Sequence, residues 1–183
     1  MRKCKFLSKA IYVNPADVLP YVEEQHKKFI NDFVTRITYF RGKPIIVTHE
    51  KDYNDYGTIL NDEKYKLTAF AHIVSRKINQ NSKKRDLDIQ RLQSCHWVKE
   101  LIEKYNSNDP ICNNCQYIKI ADKKEGHSNV TYIYCRTVRY VIILQQAFNY
   151  KLDKNDEFYE YYFIKSAFYV NEESMNISIL KKF

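Results

Sequence analysis

Residues 130–144 have the sequence VTYIYCRTVRYVIIL, and this stretch decides the fold class. It contains two short runs of β-branched and aromatic residues, 130–136 and 138–144, which are typical of neighbouring strands. Runs of the same kind cover 116–120 and 159–170, with polar turns between them. The second half of the chain is therefore predicted to form an antiparallel sheet.

Helical periodicity precedes these strands. Asn14-Pro15 has the residue types that begin a helix, and apolar residues at helical spacing continue to about residue 38. Similar spacing predicts a second helix over 67–78 and a third over 86–105, while 45–48 predicts a short buried strand. Helices followed by strands indicate an α+β fold, in which N-terminal helices pack on a C-terminal antiparallel sheet.

The length of 183 residues suits one compact unit, with an N-terminal extension of helix and strand over 1–60 and a core over 61–183. Its 30 basic and 22 acidic residues give a net charge of +8, which favours a polyanionic partner such as nucleic acid. No run approaches the ~20 apolar residues that span a bilayer, and no signal peptide is evident. Five unevenly spaced cysteines fit a reducing compartment. We expect a cytoplasmic protein with no membrane partner.

Several classes of site are disfavoured by composition. Three glycines cannot supply a glycine-rich phosphate loop, and no carboxylate pair has the spacing of a two-metal nuclease site. Cys112-x-x-Cys115 with His127 and Cys135 has the ligand types of a structural zinc site, although the later ligands are irregularly spaced. We expect no cofactor, with free thiols as the preferred state of these cysteines and structural zinc as the alternative.

Histidines and basic residues have the types that metal-independent RNA cleavage requires. Such a reaction needs a group that deprotonates the 2′-hydroxyl, a group that protonates the leaving 5′-oxygen and cations for the transition state. The candidate set is His72, Arg76, Arg91, His96, Arg136, Arg139 and Lys165. On one helix, His72 and Arg76 would share a face; plain solvated surface is the alternative for this pair.

The last predicted strand has two faces by parity. The core face is expected to carry Tyr162, Ile164, Ser166, Phe168 and Val170. The opposite face would carry Tyr161, Phe163, Lys165, Ala167 and Tyr169. One lysine among aromatic rings suits base stacking and phosphate neutralisation, and packing against a helix is the alternative.

Three segments resemble phage- and plasmid-associated members of the barnase, EndoU, colicin and RelE-like (BECR) nuclease superfamily, over about residues 65–171. They are His72-Ile-Val-Ser-Arg76, the segment from Asp88 to Ile102 with Arg91 and Trp97, and Tyr162-Phe-Ile-Lys165-Ser166-Ala-Phe-Tyr169-Val. The resemblance implies that His72 is a general acid or base and that Arg76 and Arg91 bind phosphate. It also implies that the sheet contributes either Lys165 or Ser166 to the active site. These two residues alternate in direction, so only one can meet the substrate unless the strand is bulged.

The expected function is a metal-independent endoribonuclease of the toxin or effector type, acting in phage defence, which cleaves RNA by attack of the 2′-hydroxyl. RNA, with tRNA as one candidate, is the expected substrate, and an antitoxin or immunity protein is a candidate partner. The residues expected to bind RNA are Lys84, Arg85, Arg136, Arg139, Tyr161 and Tyr169. The alternatives are a non-catalytic nucleic-acid-binding or regulatory protein and a protein-interaction module. Trp97 is expected to be a core anchor, with base stacking as its alternative role.

Overall fold

The computed structural model describes residues 7–47, 57, 59–60, 68–106, 118–149 and 159–170. Its helices are α1 (Leu19–Ile30), α2 (Thr68–Ile73), α3 (Ile89–Gln93) and α4 (Trp97–Asn106), and a π-helical turn at Asn31–Thr35 continues α1. Its strands are β1 (Tyr39–Phe40), β2 (Lys43–Pro44), β3 (Ser75–Lys77), β4 (Arg85–Leu87), β5 (Ile118–Glu125), β6 (Ser128–Cys135), β7 (Tyr140–Asn149) and β8 (Tyr159–Tyr169). Helices precede the large sheet, which confirms the α+β fold class.

Strands β5 to β8 form one antiparallel sheet in their order along the chain. On one face, Ile133, Ile142 and Leu144 belong to a core cluster that also contains apolar residues of all four helices. A smaller buried cluster, which includes Tyr132 and Ile143, lies on the opposite face. We call these the helix face and the outer face of the sheet.

The N-terminal residues from Leu7 onwards pack along α3 and α4. The indole Nε1 of Trp97 donates to the carbonyl of Ser8 at 2.9 Å, and the amide of Ile11 donates to the carbonyl of Gln93 at 3.0 Å. Leu7 is itself part of the main core cluster. These residues therefore share one core with the helices and the sheet.

The first helix begins later than the sequence predicts. The side-chain oxygen of Asn14 accepts a hydrogen bond from the amide of Ala16 at 3.1 Å, which stabilises a turn. Helix α1 begins at Leu19, with a proline in its first turn. The strand predicted at 45–48 is an isolated parallel bridge from Ile45 to β8, and Thr48 lies outside the described residues.

The second helix is shorter than predicted, because α2 ends at Ile73. Arg85 Nη2 donates to the carbonyls of His72 at 3.3 Å and Ser75 at 2.9 Å, and so satisfies oxygens at the end of the helix. The chain then forms the β3–β4 hairpin, which places Arg76 on a strand. The prediction that His72 and Arg76 share a helix is therefore wrong.

Two helices, α3 and α4, replace the single helix predicted over 86–105. The hydroxyl of Ser94 donates to the carbonyls of Gln90 at 3.0 Å and Arg91 at 3.3 Å, and thereby competes with the backbone hydrogen bonds that would continue α3. Asp88 caps the start of α3 by accepting from the amide of Arg91 at 3.2 Å. None of the helices in the described ranges has the length and apolar composition needed to cross a membrane.

Strand β8 contains a β-bulge at Lys165. Ile164 lies opposite Leu144 and Ser166 lies opposite Ile143, so Lys165 is the extra residue. Because a bulge inserts one residue into the alternation, the side chains beyond it change faces.

Because of the bulge, the observed faces of β8 differ from the predicted ones beyond Lys165. Tyr162 and Ile164 lie on the helix face as predicted, and Ala167 joins them there. Phe168 and Val170 lie on the outer face instead of the core face. The parity prediction is therefore correct up to the bulge and wrong beyond it.

Candidate active site

A cluster of basic side chains surrounds the β3–β4 hairpin and the start of α3. Between 76 and 91 the chain has six basic and two acidic residues, so this short segment contributes a net +4 of the chain's +8. Arg76 Nε lies 3.7 Å, and Arg91 Nε 3.8 Å, from the same oxygen of Asp88. Asp88 therefore joins the two arginines that the sequence predicts to bind phosphate.

Arg85 and Arg91 also fix the backbone beside His72. Arg91 Nη1 donates to the carbonyl of Ser75 at 2.6 Å. Arg85 donates to the same carbonyl at 2.9 Å and to the Ser75 hydroxyl at 2.9 Å. These two guanidinium groups consequently stabilise the junction of α2 and β3, whatever else they bind.

His72 lies in the last turn of α2, where its side chain is partly buried. Burial and the positive charges of Arg85, Arg91 and Lys77 lower the pKa of His72 to about 4. The imidazole is therefore neutral at pH 7, which is the state that accepts a proton. An anion bound among these cations would offset their charge and raise this pKa.

The basic cluster reaches the edge of the sheet at β8. The Cζ atom of Arg91 lies 5.2 Å from the centroid of the Phe168 ring, which belongs to the outer face. Ser166 precedes Phe168 by two residues on the same face, so the two residues are about 7 Å apart along the strand. Ser166 therefore lies two residues along β8 from Phe168, the residue whose ring Arg91 contacts.

Lys165 is directed away from this edge. Its Nζ atom forms an ion pair with Glu125 Oε2 at 3.3 Å, and Glu125 also accepts a hydrogen bond from the hydroxyl of Tyr132. The ion pair joins β8 to β5 across the outer face of the sheet. Lys165 and Ser166 share that face because of the bulge, but Lys165 is paired with an acidic residue.

The turn between β6 and β7 carries Arg136 and Arg139, and both side chains are exposed. The carbonyl of Arg139 accepts a hydrogen bond from the amide of Val170 at 2.7 Å. The turn therefore lies at the same end of β8 as Phe168. This is the end of the sheet that Arg91 contacts.

The two tyrosines predicted to bind RNA lie far apart. Tyr169 packs against Trp97, with ring centroids 5.8 Å apart, and against Tyr140 at 5.4 Å. Burial raises the pKa of Tyr169. Tyr161 lies before the bulge, about 26 Å away along the strand. Trp97 is buried in the core, as its preferred interpretation predicts.

His96 is not part of the His72 cluster. Its side chain is 5% exposed and lies among Gln25, Asp32 and Cys95. Within the described part of the chain, its Nδ1 atom has no hydrogen-bond partner. Burial, followed by the charge of Lys28, lowers the pKa of His96. The structure does not bring this second histidine to the predicted phosphate ligands.

The hairpin adds cations that surround the candidate site. Lys84, predicted to bind RNA, and Lys83 are exposed at its turn. Lys77 is exposed on β3 and was not among the predicted site residues, although its charge acts on His72. The sequence signal that could have identified Lys77 is its position directly after Arg76.

The four residues named as the alternative zinc site do not all lie together. His127 lies in the β5–β6 turn and Cys135 at the far end of β6, so an extended strand separates them by about 26 Å. They cannot bind one ion. Cys112 and Cys115 lie outside the described residues. No three potential ligands converge among the residues that the structure describes.

No protein-family model, curated protein or solved structure matches this chain. The functional interpretation therefore depends on the arrangement of these residues.

Proposed function

We propose that the protein is a metal-independent endoribonuclease, in which the phosphate of the RNA lies among Arg76, Arg91 and the β3–β4 hairpin, beside His72. The observation that carries this proposal is a neutral histidine surrounded by cations, next to two arginines joined through one carboxylate. The concentration of positive charge over 76–91 supports a polyanionic substrate.

In the proposed reaction, His72 accepts the proton of the 2′-hydroxyl as the 2′-oxygen bonds to phosphorus. The bond from phosphorus to the 5′-oxygen breaks, the 5′-oxygen takes a proton from water, and the hydroxide that remains takes the proton from His72. The products are a 5′-hydroxyl fragment and a fragment with a 2′,3′-cyclic phosphate. Arg76, whose side chain is 72% exposed, and Arg91 offset the charge that develops on the phosphate oxygens. Because the bound phosphate raises the pKa of His72, the imidazole is a stronger base in the complex than in the free protein.

Ser166 and Arg139 complete the proposed site from the sheet. Both belong to the part of β8 and its neighbouring turn that lies near Arg91. The remaining parts of the proposal are a cytoplasmic toxin or effector role, tRNA as one candidate substrate, and an antitoxin or immunity protein as inhibitor. Charge complementarity requires such an inhibitor to present an acidic surface to the hairpin.

The test is incubation of the purified protein with tRNA and with total RNA in EDTA, followed by a denaturing gel and analysis of the fragment ends. We expect fragments with 2′,3′-cyclic phosphate. His72→Gln should lower the cleavage rate by roughly 10²-fold or more, because a general base is lost. His127→Gln, on the exposed β5–β6 turn, is the matched control and should cleave normally.

Arg76→Gln is the second variant, because its exposed side chain can be removed with little effect on the fold. It should lower cleavage by roughly tenfold, the effect of one weakened phosphate contact. The proposal fails if the protein produces no fragments in EDTA, or if His72→Gln cleaves as fast as the unaltered protein.

A non-catalytic nucleic-acid-binding protein is the second candidate. It is favoured by the hydrogen bonds that Arg85 and Arg91 already donate to backbone carbonyls, which occupy donors that a phosphate would need. This candidate predicts retention of RNA that weakens steeply with salt, without any product. It also predicts that His72→Gln binds RNA as tightly as the unaltered protein.

A further inference from the structure

A single carboxylate, that of Asp88, lies between the two arginines of the candidate site. Its side chain is 14% exposed at the start of α3. Its Oδ2 atom lies 3.7 Å from Arg76 Nε and 3.8 Å from Arg91 Nε. Its Oδ1 atom accepts a hydrogen bond from the backbone amide of Arg91 at 3.2 Å. The two oxygens therefore have separate roles, since one caps the helix and the other balances the arginines.

Arg76 depends on Asp88 more than Arg91 does. Arg91 is also held by its hydrogen bond to the carbonyl of Ser75 and by the ring of Phe168, whose centroid is 5.2 Å from its Cζ atom. The side chain of Arg76 is 72% exposed, and Asp88 is the only acidic residue in the described ranges with which it forms an ion pair. An exposed arginine without such a contact samples many rotamers. Asp88 therefore restricts the position of Arg76 relative to Arg91.

The carboxylate acts on both guanidinium groups mainly through its charge. Distances of 3.7 and 3.8 Å exceed the roughly 2.7–3.2 Å of an N–H···O hydrogen bond. Burial lowers the pKa of Arg91, and the negative charge of Asp88 opposes that shift. Asp88 thus stabilises the charged form of an arginine that is largely removed from solvent.

The same carboxylate also reduces the positive charge that a substrate meets. Two arginines and one carboxylate leave a single net positive charge, which one RNA phosphodiester neutralises. Without the carboxylate, the pair would attract any phosphate more strongly. Asp88 therefore has two opposing effects on the site, because it orders Arg76 and weakens the attraction for anions.

We propose that Asp88 is a positioning residue of the candidate site: its carboxylate holds Arg76 beside Arg91 and, in doing so, lowers the affinity of the site for phosphate. Fixed guanidinium groups favour the transition state, while the nearby negative charge opposes binding of the ground state. The inference rests on the ribonuclease proposed above, because it gives Asp88 a role in that reaction.

The decisive variant is Asp88→Asn, because the amide oxygen of asparagine can still cap α3 while the negative charge is lost. Binding is measured with a 2′-O-methyl tetranucleotide, which lacks the attacking 2′-hydroxyl. Cleavage of tRNA in EDTA gives kcat and KM. Asp88→Asn should bind the tetranucleotide roughly threefold tighter or more, and its kcat should fall by roughly fivefold. Loss of charge alone would instead raise kcat, since negative charge increases in the transition state.

Asp86→Asn is the matched control, because it removes the same charge from the same hairpin. Asp86 is exposed and lies opposite Arg76 in the β3–β4 ladder. Its Oδ1 atom accepts from the amide of Leu87 at 3.0 Å, and within the described ranges it forms no ion pair with an arginine. This variant should change the affinity and kcat by less than roughly twofold. Thermal unfolding of both variants checks that the fold is intact.

A double variant tests whether Asp88 acts through Arg76. In Arg76→Gln/Asp88→Asn, kcat should equal that of Arg76→Gln, because no arginine remains at this position to be held. A purely structural role of Asp88 would lower kcat equally in both backgrounds.

The proposal is overturned if Asp88→Asn binds the tetranucleotide no tighter than Asp86→Asn, if its kcat is unchanged or raised, or if its effect on kcat persists in Arg76→Gln. The proposed ribonuclease can fail separately. If neither the unaltered protein nor any variant cleaves RNA, that function is rejected and binding alone decides on Asp88, whose gain in affinity should shrink when Arg76 is replaced.

Discussion

His72 is a residue whose ionisation depends on its neighbours. Arg85 and Arg91 are tied to the backbone carbonyl of Ser75, so changing either of them would disturb the fold as well as the charge. Lys77 is exposed and forms no ion pair with a described residue. It is therefore the cation whose removal isolates the electrostatic effect on His72.

We expect Lys77→Gln to raise the pKa of His72 above its value of about 4. The rise should be modest, about 0.5, because Lys77 is exposed and its charge is screened by solvent. The measurement is the pH titration of the His72 imidazole by NMR. Lys27→Gln, an equal charge change on α1, is the control. An unchanged His72 titration in Lys77→Gln would contradict the electrostatic account.

Arg76 and Arg91 differ in role although both approach Asp88. The side chain of Arg76 is 72% exposed, whereas that of Arg91 is 17% exposed and donates to the carbonyl of Ser75. Removing Arg91 would leave that carbonyl to Arg85 alone, and the loss of one hydrogen bond costs roughly 0.5–1.5 kcal/mol. Loss of activity in an Arg91 variant would therefore combine folding with chemistry, and Arg76 is the cleaner probe.

At the scale of elements, the bulge in β8 decides which side chains reach the outer face. Deleting Lys165 should be tolerated, since Ile164 would still pair with Leu144 and the following residue with Ile143. We expect the deletion to lower the melting temperature by roughly 5 °C or less, because no buried side chain changes face. Circular dichroism on heating measures this.

Deleting Phe163 is the matched control, because it removes one residue from the regular part of β8. Tyr162 and Ile164 could then no longer both face the helices, and the contact of Tyr162 with Phe40, at 5.1 Å between ring centroids, would be lost. This deletion should abolish cooperative unfolding. Equal melting temperatures for the two deletions would show that Lys165 is not the extra residue.

The strands were easier to predict than the helices. The predicted runs 130–136 and 138–144 overlap β6 and β7, although β7 ends five residues later than predicted, because β-branched and aromatic residues determine these strands locally. The ends of α2 and α3 depend on hydrogen bonds from Arg85 and Ser94 to backbone carbonyls, which apolar spacing does not report. The sequence pattern gives no sign of the bulge either, because the residues on both sides of Lys165 alternate normally.

The candidate site was only partly predicted, because the positions of its side chains also depend on contacts that local sequence does not report. Arg76 and Arg91 come together through Asp88 although the predicted helix that linked His72 to Arg76 is wrong. Tyr169 was placed on the wrong face by the unseen bulge. The ion pair between Arg41 and Asp122 was not predicted, because the two residues are distant in sequence and meet through packing of the β1–β2 hairpin.

Stability of the whole molecule should fall as the pH is lowered from 7.5 to 5. Both His72 and His96 have lowered pKa values in the folded protein, so the unfolded chain binds more protons than the folded one below about pH 6.5. The free energy of unfolding therefore decreases as the pH falls towards 4. His72 alone should account for about 2 kcal/mol between pH 7.5 and pH 5, and His96 acts in the same direction.

Urea unfolding at a series of pH values measures how steeply the free energy of unfolding changes with pH. This slope should be flatter in His72→Gln and flatter still in His72→Gln/His96→Gln. His127→Gln is the matched control on an exposed turn. If the double variant has the same pH dependence as the unaltered protein, these two histidines are not the groups that the fold keeps neutral.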